Sequence, residues 1–203
     1  MGIKRPAPFP YTLNQAVDKL LKEEFDYYRK RGEVPSLILE NKIPASLFSN
    51  QELLNQWRTD AVGIRYYDEK LDAVLFGTLD DVLEFKNGKF APLDYKTTGS
   101  DDPEIYDRFQ LQMDVYTFLL EKNGFPTLRK GFLAFYVVDR NNGFKDRLPF
   151  KKKIVSIDTN PSDIPELFGD AVRLLRQKNL PSHSVDCKYG KWLNQILNYL
   201  NKM

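Results

Sequence analysis

The feature that most limits how this chain can fold is a turn. Asn87-Gly88 sits between two runs that alternate apolar and polar residues, "TLDDVLEF" and "KFAPLDYKTT". Such a pattern reads as a β-hairpin, and the length of the loop sets the register of the strands. A two-residue primed turn at Asn87-Gly88 places Asp81 opposite Asp94. A three-residue loop, Lys86-Asn87-Gly88, with Gly88 left-handed in a bulge, places Phe85 opposite Lys89 and Asp80 opposite Asp94. The second register gathers Leu79, Leu83, Phe85, Ala91, Leu93 and Tyr95 on one face, and Thr78, Asp80, Asp94 and Lys96 on the other. The first mixes apolar and charged side chains on both faces, and register follows the buried face. The three-residue loop is therefore expected, with Asp81 left over as an acid on the apolar side.

The segments around the hairpin supply helices and further strands. Thr12 to about Lys30 reads as an amphipathic helix with Val17, Leu20, Leu21, Phe25 and Tyr28 on one side. Glu24 falls inside that stripe, while Glu23 and Asp26 point outward. A carboxylate facing a core needs a partner. Glu24 is either a salt-bridged or hydrogen-bonded rim residue or a metal ligand, and the helix alone favours the first. "EVPSLILENKIPASLF" is a Pro-interrupted connection, "NQELLNQW" a short helix, and strands begin at "GIRYYD" and run on through the hairpin. Asp102-Pro103 is a capping acid followed by proline at the first helical position, and Gly124 is placed to end that helix. Ile105, Phe109, Met113, Tyr116 and Leu120 form its stripe, Gln112 sits within it, and Leu111, Val115 and Phe118 cover another side. "RKGFLAFYVVDR" is a strong strand, Asn141-Asn142-Gly143 a turn, and "FKDRLPFKKKIVSID" one or two strands more; two closing helices follow. The expected class is α/β, a central mixed β-sheet flanked by helices. One domain over 1–203 is expected, with a core over about 12–158 and C-terminal helices over about 161–203.

Composition narrows the setting. The net charge of +2 says nothing about nucleic acid, so any basic binding surface must be local. One cysteine excludes a disulfide framework and fits a reducing cytoplasm. The opening "MGIKRPAPFPYTLNQ" carries no apolar run long enough for a signal peptide or a membrane span, so a cytoplasmic protein without membrane contact is expected. The run Lys151-Lys152-Lys153 is either a solvated strand face or a track for a phosphate backbone.

Asp94, Tyr95 and Lys96 pose the chemical question. Alternation puts Asp94 and Lys96 on one face and Tyr95 on the other. Alone, the pair is a salt bridge of little worth to stability. With Asp80 opposite, and with Glu24 and Gln112 facing inward from flanking helices, it is half of an active site. Two or three carboxylates suit a hard divalent cation such as Mg²⁺, and a neighbouring lysine can steer water or neutralise a phosphodiester as it gains charge.

"GTLDDV", "PLDYKTT" and "QMDVY" in that order resemble the PD-(D/E)XK nuclease superfamily, in particular its RecB-like branch, which includes CRISPR-associated adaptation exonucleases. That branch carries Gly-x-x-Asp, Asp/Glu-x-Lys and Gln-x-x-x-Tyr motifs, which Gly77 and Asp80, Asp94 and Lys96, and Gln112 and Tyr116 match. The resemblance implies a restriction-endonuclease-like core. It implies Asp80, Asp94 and the Tyr95 carbonyl as ligands of Mg²⁺ or Mn²⁺, Lys96 as catalytic, and Gln112 and Tyr116 as aids at the scissile phosphate or DNA strand. It further implies DNA as substrate, as single strands or duplex ends, and a helicase or a CRISPR or repair component as partner. Relatives often add an upstream histidine ligand. The one histidine here, His183, lies far downstream, and Glu24 is the expected replacement. Several relatives hold an iron–sulfur cluster through four cysteines; Cys187 alone cannot, so no cluster is expected. Apart from nuclease action, a non-catalytic nucleic-acid-binding or accessory subunit with the same fold remains open.

Overall fold

In the computed structural model the residues described are 12–101, 107–141, 143–144, 146–179 and 181–201. The elements run α1 (Thr12–Arg31), α2 (Ser36–Glu40), β1 (Ala45–Leu47), α3 (Gln51–Trp57), β2 (Ile64–Asp68), β3 (Ala73–Gly77), β4 (Asp81–Phe85), β5 (Phe90–Thr98), α4 (Asp107–Lys122), β6 (Lys130–Val138) and β7 (Phe150–Asp158). A 3₁₀ turn (Pro161–Asp163), α5 (Ile164–Leu175) and α6 (Lys188–Leu200) follow. The expected start of α4 at Asp102-Pro103, with Ile105, lies outside the described residues, as does Asn142 of the expected turn.

Five strands form a mixed sheet in the order β1-β4-β5-β6-β7, and β2 with β3 makes a separate hairpin. Only the β5–β6 pairing is parallel, and α4 provides its crossover. This is the mixed, helix-flanked α/β sheet that the element order predicts. The β4–β5 register also follows expectation. Asp81 pairs with Leu93 and Leu83 with Ala91, and Phe85 N–H donates to the Lys89 carbonyl at 2.9 Å. Gly88 sits at φ +74°, the left-handed conformation that a three-residue loop asks of a glycine.

Each sheet face has its own core. On one, Leu21 and Phe25 of α1 pack against Leu83, Phe85, Leu93, Tyr95, Phe132 and Ala134. On the other, Met113, Tyr116 and Leu120 of α4 pack against Val82, Leu133, Phe135 and Val137. Leu79 departs from expectation and joins this second core. It precedes β4, and its N–H donates to the Trp57 carbonyl at 3.2 Å, so the alternation of the strand does not yet govern it. Leu111 is 44% exposed, whereas Val115 and Phe118 of the same expected side do pack into this core.

The Pro-interrupted connection contains two elements too short for any periodicity to reveal, α2 and β1. β1 exists because it pairs with the edge of β4, Ala45 to Phe85 and Leu47 to Leu83. At the other edge, Lys151, Lys152 and Lys153 of β7 are all exposed. Lysines on an outer strand discourage pairing with another chain. Cys187 caps α6, its sulfur accepting from Gly190 N–H at 3.3 Å.

Candidate active site

The site lies where β4 begins and β5 passes from core to rim. Asp94 is nearly fully buried, at 2% exposure, because β5 is a central strand and α4 covers this face. Asp80 sits one residue before β4, with its side chain 19% exposed. Its Oδ2 accepts the Tyr95 N–H at 3.0 Å, which holds it across the hairpin beside Asp94. Lys96 follows on the same face as Asp94, its Nζ 2.5 Å from Asp94 Oδ2.

Helix α4 joins these groups. Gln112 Nε2 donates to Asp94 Oδ1 at 2.8 Å, and Lys96 Nζ donates to Gln112 Oε1 at 3.0 Å. A single amide therefore bridges acid and base and fixes their relative position. The Tyr116 hydroxyl lies 2.9 Å from Gln112 Nε2 and donates to the Thr78 carbonyl at 2.6 Å. Gly77 makes that reach possible, since a Cβ there would stand 2.9 Å from Tyr116 Cε1. The Lys96 ammonium also rests 4.7 Å from the centre of the Phe109 ring. The structure thus brings Asp80, Asp94, Lys96, Gln112 and Tyr116 together.

Glu24 is not among them. Helix α1 is rotated from its expected setting. Leu20 and Glu24 are exposed, and Lys22, Asp26 and Arg29 turn inward beside Leu21 and Phe25. Glu24 lies toward Tyr136 on β6, where its charge helps burial hold that phenol above its ordinary pKa. The residue of α1 that meets the acids is Lys22, whose Nζ is 2.8 Å from both Asp80 Oδ1 and Asp18 Oδ2. The rotation has a cause. Lys22 and Arg29 find Asp80 and Asp81 at the start of β4, and Asp26 finds Arg58 just after α3, whereas Glu24 would have met two more carboxylates. Among the described residues, no three of His, Cys, Asp and Glu come together in a metal-binding group.

Burial first, and the Asp80 charge second, push the Asp94 carboxyl up to about 7, against the pull of Lys96 and Lys22. Burial draws the Lys22 ammonium down, but Asp80 and Asp18 outweigh it and its pKa ends raised. Burial also raises the Tyr116 hydroxyl, which stays a neutral donor.

Asp81, the expected misfit, is held by Arg29, Arg58, the Tyr95 hydroxyl and the Val82 N–H. It is fully buried. Both its oxygens lie 2.5 Å from Arg29 Nη2, Oδ2 accepts from the Tyr95 hydroxyl at 2.7 Å and from Arg58 at 3.2 Å, and Oδ1 accepts from Val82 N–H at 2.8 Å. Arg58 also binds both Asp26 oxygens at 2.8 Å and donates through Nε to the backbone carbonyl of Asp80 at 2.7 Å. Asp26, expected to face solvent, is therefore a partner of Arg58 and Arg29. Composition and periodicity gave no hint of Arg58. The spacing Asp18, Lys22, Asp26, Arg29 is a helical stripe of alternating charge, and it was the one sequence signal that α1 turns a charged face toward acids.

Two carboxylates side by side, a lysine against one of them, and a glutamine and tyrosine from the following helix now stand as one geometric unit. The sequence matches the family model of the PD-(D/E)XK nuclease superfamily over residues 5–192. The chain belongs to that superfamily. Membership implies nuclease activity, and PD-(D/E)XK nucleases generally use divalent metals such as Mg²⁺ or Mn²⁺. Among solved structures, that of SSO0001 aligns with a TM-score of 0.45 and 15% identity, over 91% of this chain and 68% of the other. No curated protein matches the sequence significantly.

The residues fit a divalent cation of the kind this superfamily uses. Asp94 Oδ2 is buried and makes no hydrogen bond of ordinary geometry, its close contact being the Lys96 ammonium. The repulsion between Asp80 and Asp94 is what a cation between them relieves. One or two carboxylates, completed by water, are the usual protein share of a Mg²⁺ site.

Proposed function

We propose that this chain is a Mg²⁺- or Mn²⁺-dependent deoxyribonuclease of the RecB-like kind, hydrolysing phosphodiester bonds in single strands or at duplex ends. The observation that carries this reading is the contact of Lys96 with Asp94 Oδ2 at 2.5 Å, with Asp80 tied to the same strand through Tyr95 N–H. Asp80, Asp94 and the Tyr95 carbonyl would hold the metal; Glu24, turned away on α1, is not part of this set. The bound cation supplies a polarised phosphate and a more acidic water.

The remaining work falls to the side chains. Lys96 orients the attacking water and offers positive charge where the phosphodiester gains negative charge. Gln112 keeps Lys96 and Asp94 in fixed relation through its two hydrogen bonds. Tyr116, anchored on the Thr78 carbonyl, holds the Gln112 amide in place. By resemblance, a helicase or another repair or CRISPR component is the kind of partner such a nuclease works with.

The test is cleavage of end-labelled single-stranded and blunt duplex DNA in Mg²⁺ and in Mn²⁺. Lys96→Ala should abolish cleavage while largely sparing Mn²⁺ binding by calorimetry, and Asp80→Ala should lose both. Undiminished degradation by either variant refutes the assignment. Wild-type protein that binds DNA but cuts no strand form in either metal is an accessory subunit instead.

A further inference from the structure

Asp80 stands outside the strand pairing that orders its neighbours. β4 begins at Asp81, and the first β4–β5 pair is Asp81 with Leu93. Pairing with β6 sets Asp94 and Lys96 on β5, and the backbone of Asp80 must be set by something else. The end of α3 does this. The Leu79 N–H donates to the Trp57 carbonyl at 3.2 Å, and the Asp80 carbonyl accepts from Arg58 Nε at 2.7 Å. Both bonds come from a firm support, since Trp57 is 4% exposed, stacked on Phe48 with ring centres 5.3 Å apart and set edge-on to Phe125 at 5.2 Å.

Neutralising acids does not account for how Arg58 is placed. Its Nη1 meets both Asp26 oxygens at 2.8 Å. Its Nη2 meets Asp81 at 3.2 Å, where Arg29 already stands 2.5 Å from both oxygens. Nε goes instead to the neutral backbone carbonyl of Asp80. A guanidinium is flat and its donors point in fixed directions, so three acceptors fix its plane. Asp26 ties that plane to α1 and Asp81 ties it to β4. If the plane moves, the Asp80 peptide moves with it.

We infer that Arg58 is a positioning residue, whose Nε sets the Asp80 peptide so that the carboxylate stays on the Tyr95 N–H, beside Asp94. The inference rests on the proposed metal site and adds the residue that fixes one of its two acids. With its side chain 9% exposed and all three nitrogens engaged by protein acceptors, Arg58 acts through Asp80. Charge and position then differ in sign. Removing a cation from beside two carboxylates should tighten a divalent ion there, whereas releasing Asp80 should weaken it.

The experiment has a metal arm and a metal-free arm. Mn²⁺ binding is measured by calorimetry, below the melting transition of each variant. Arg58→Gln should weaken it about 10- to 100-fold, the usual loss when the support of a metal ligand is removed. Arg58→Lys should recover part of the melting temperature, since its ammonium still meets Asp26. It should recover none of the binding, since a point charge cannot also hold the Asp80 carbonyl. Without metal, amide hydrogen exchange is followed by NMR at Tyr95, whose N–H donates to Asp80 Oδ2, and at Phe85, whose N–H donates to the Lys89 carbonyl in the same hairpin. In Arg58→Gln, exchange at Tyr95 should rise about tenfold more than at Phe85. Unchanged or tighter Mn²⁺ binding in Arg58→Gln, binding that returns in Arg58→Lys, or exchange that rises equally at both amides overturns the inference. If Arg58→Gln does not fold, Asp26→Asn/Arg58→Gln, which removes one charge of each sign, takes its place. A parent protein that binds no Mn²⁺ refutes the nuclease reading, and the exchange arm still decides whether Arg58 holds Asp80.

Discussion

Replacing Asp81 with asparagine should destabilise the protein by about 3 kcal/mol, although the residue touches neither proposed metal nor substrate. Removing one partner of a buried ion pair costs about 3–5 kcal/mol, because the other charge stays buried. Arg29 has no slack to absorb the change: its side chain is 3% exposed, and its Nε is buried without a hydrogen-bond partner. The asparagine amide would turn a second donor toward the Arg29 guanidinium, where the carboxylate now presents two acceptors at 2.5 Å. Asp26 still faces both arginines, so the lower end of the range applies. For a chain of this length, 3 kcal/mol lowers Tm by about 6–12 °C. Urea unfolding followed by circular dichroism and tryptophan fluorescence gives the free energy. The double variant Asp81→Asn/Arg29→Gln should then be more stable than the sum of its parts by about 1 kcal/mol or more. A loss below about 1 kcal/mol in the single variant, or strict additivity in the double, would refute the idea that the Asp81–Arg29 contact is a tight buried pair.

Two further outcomes follow from the acid pair itself. Asp94 holds its proton up to about pH 7 when folded, against an ordinary value of 3.8, so the native state binds more protons between those limits and stability falls as pH rises through 7. In EDTA, Asp94→Asn should therefore gain on wild type as pH goes from about 5 to about 8, read as the difference in Tm; a constant difference contradicts the buried-carboxylate account. Lys22→Met removes the ammonium 2.8 Å from Asp80 Oδ1 and should tighten Mn²⁺ binding roughly three- to tenfold by calorimetry, and unchanged or weaker binding would contradict its role as an internal counter-ion.

The hairpin was legible because three signals agreed: a turn dipeptide, a glycine suited to φ > 0, and an alternation that makes sense in one register only. That register alone puts Asp80, Asp94 and Lys96 together, and the helical position of Gln112 and Tyr116 added the rest. The setting of α1 was not legible, because an apolar stripe locates the buried face only when charges stay outside. Here Leu20 at 62% exposure gives way to Lys22, Asp26 and Arg29, whose partners Asp80, Asp81 and Arg58 lie between 32 and 58 positions away in the chain. No periodicity reports a pairing of that separation. β1 escaped for a related reason: three residues carry no pattern, and what makes them a strand is the open edge of β4.

The rotation of α1 changes what kind of metal site this can be. With Glu24 inward, three carboxylates would have formed a closed, strongly anionic cage. With Lys22 inward, two carboxylates face two ammonium groups, Lys22 on Asp80 and Lys96 on Asp94, so part of their charge is met from within. On the proposed reading, a cation entering between the acids would compete with Lys22, which would lower its affinity and leave much of its coordination to water. That suits Mg²⁺, which dehydrates reluctantly and keeps several waters. Its entry would also free the Lys22 ammonium, now 2.8 Å from Asp80 Oδ1, to offer its charge to a bound phosphodiester. The same residue that weakens the metal would then favour the ternary complex of protein, metal and DNA, and the two cations would act in sequence on one pair of carboxylates.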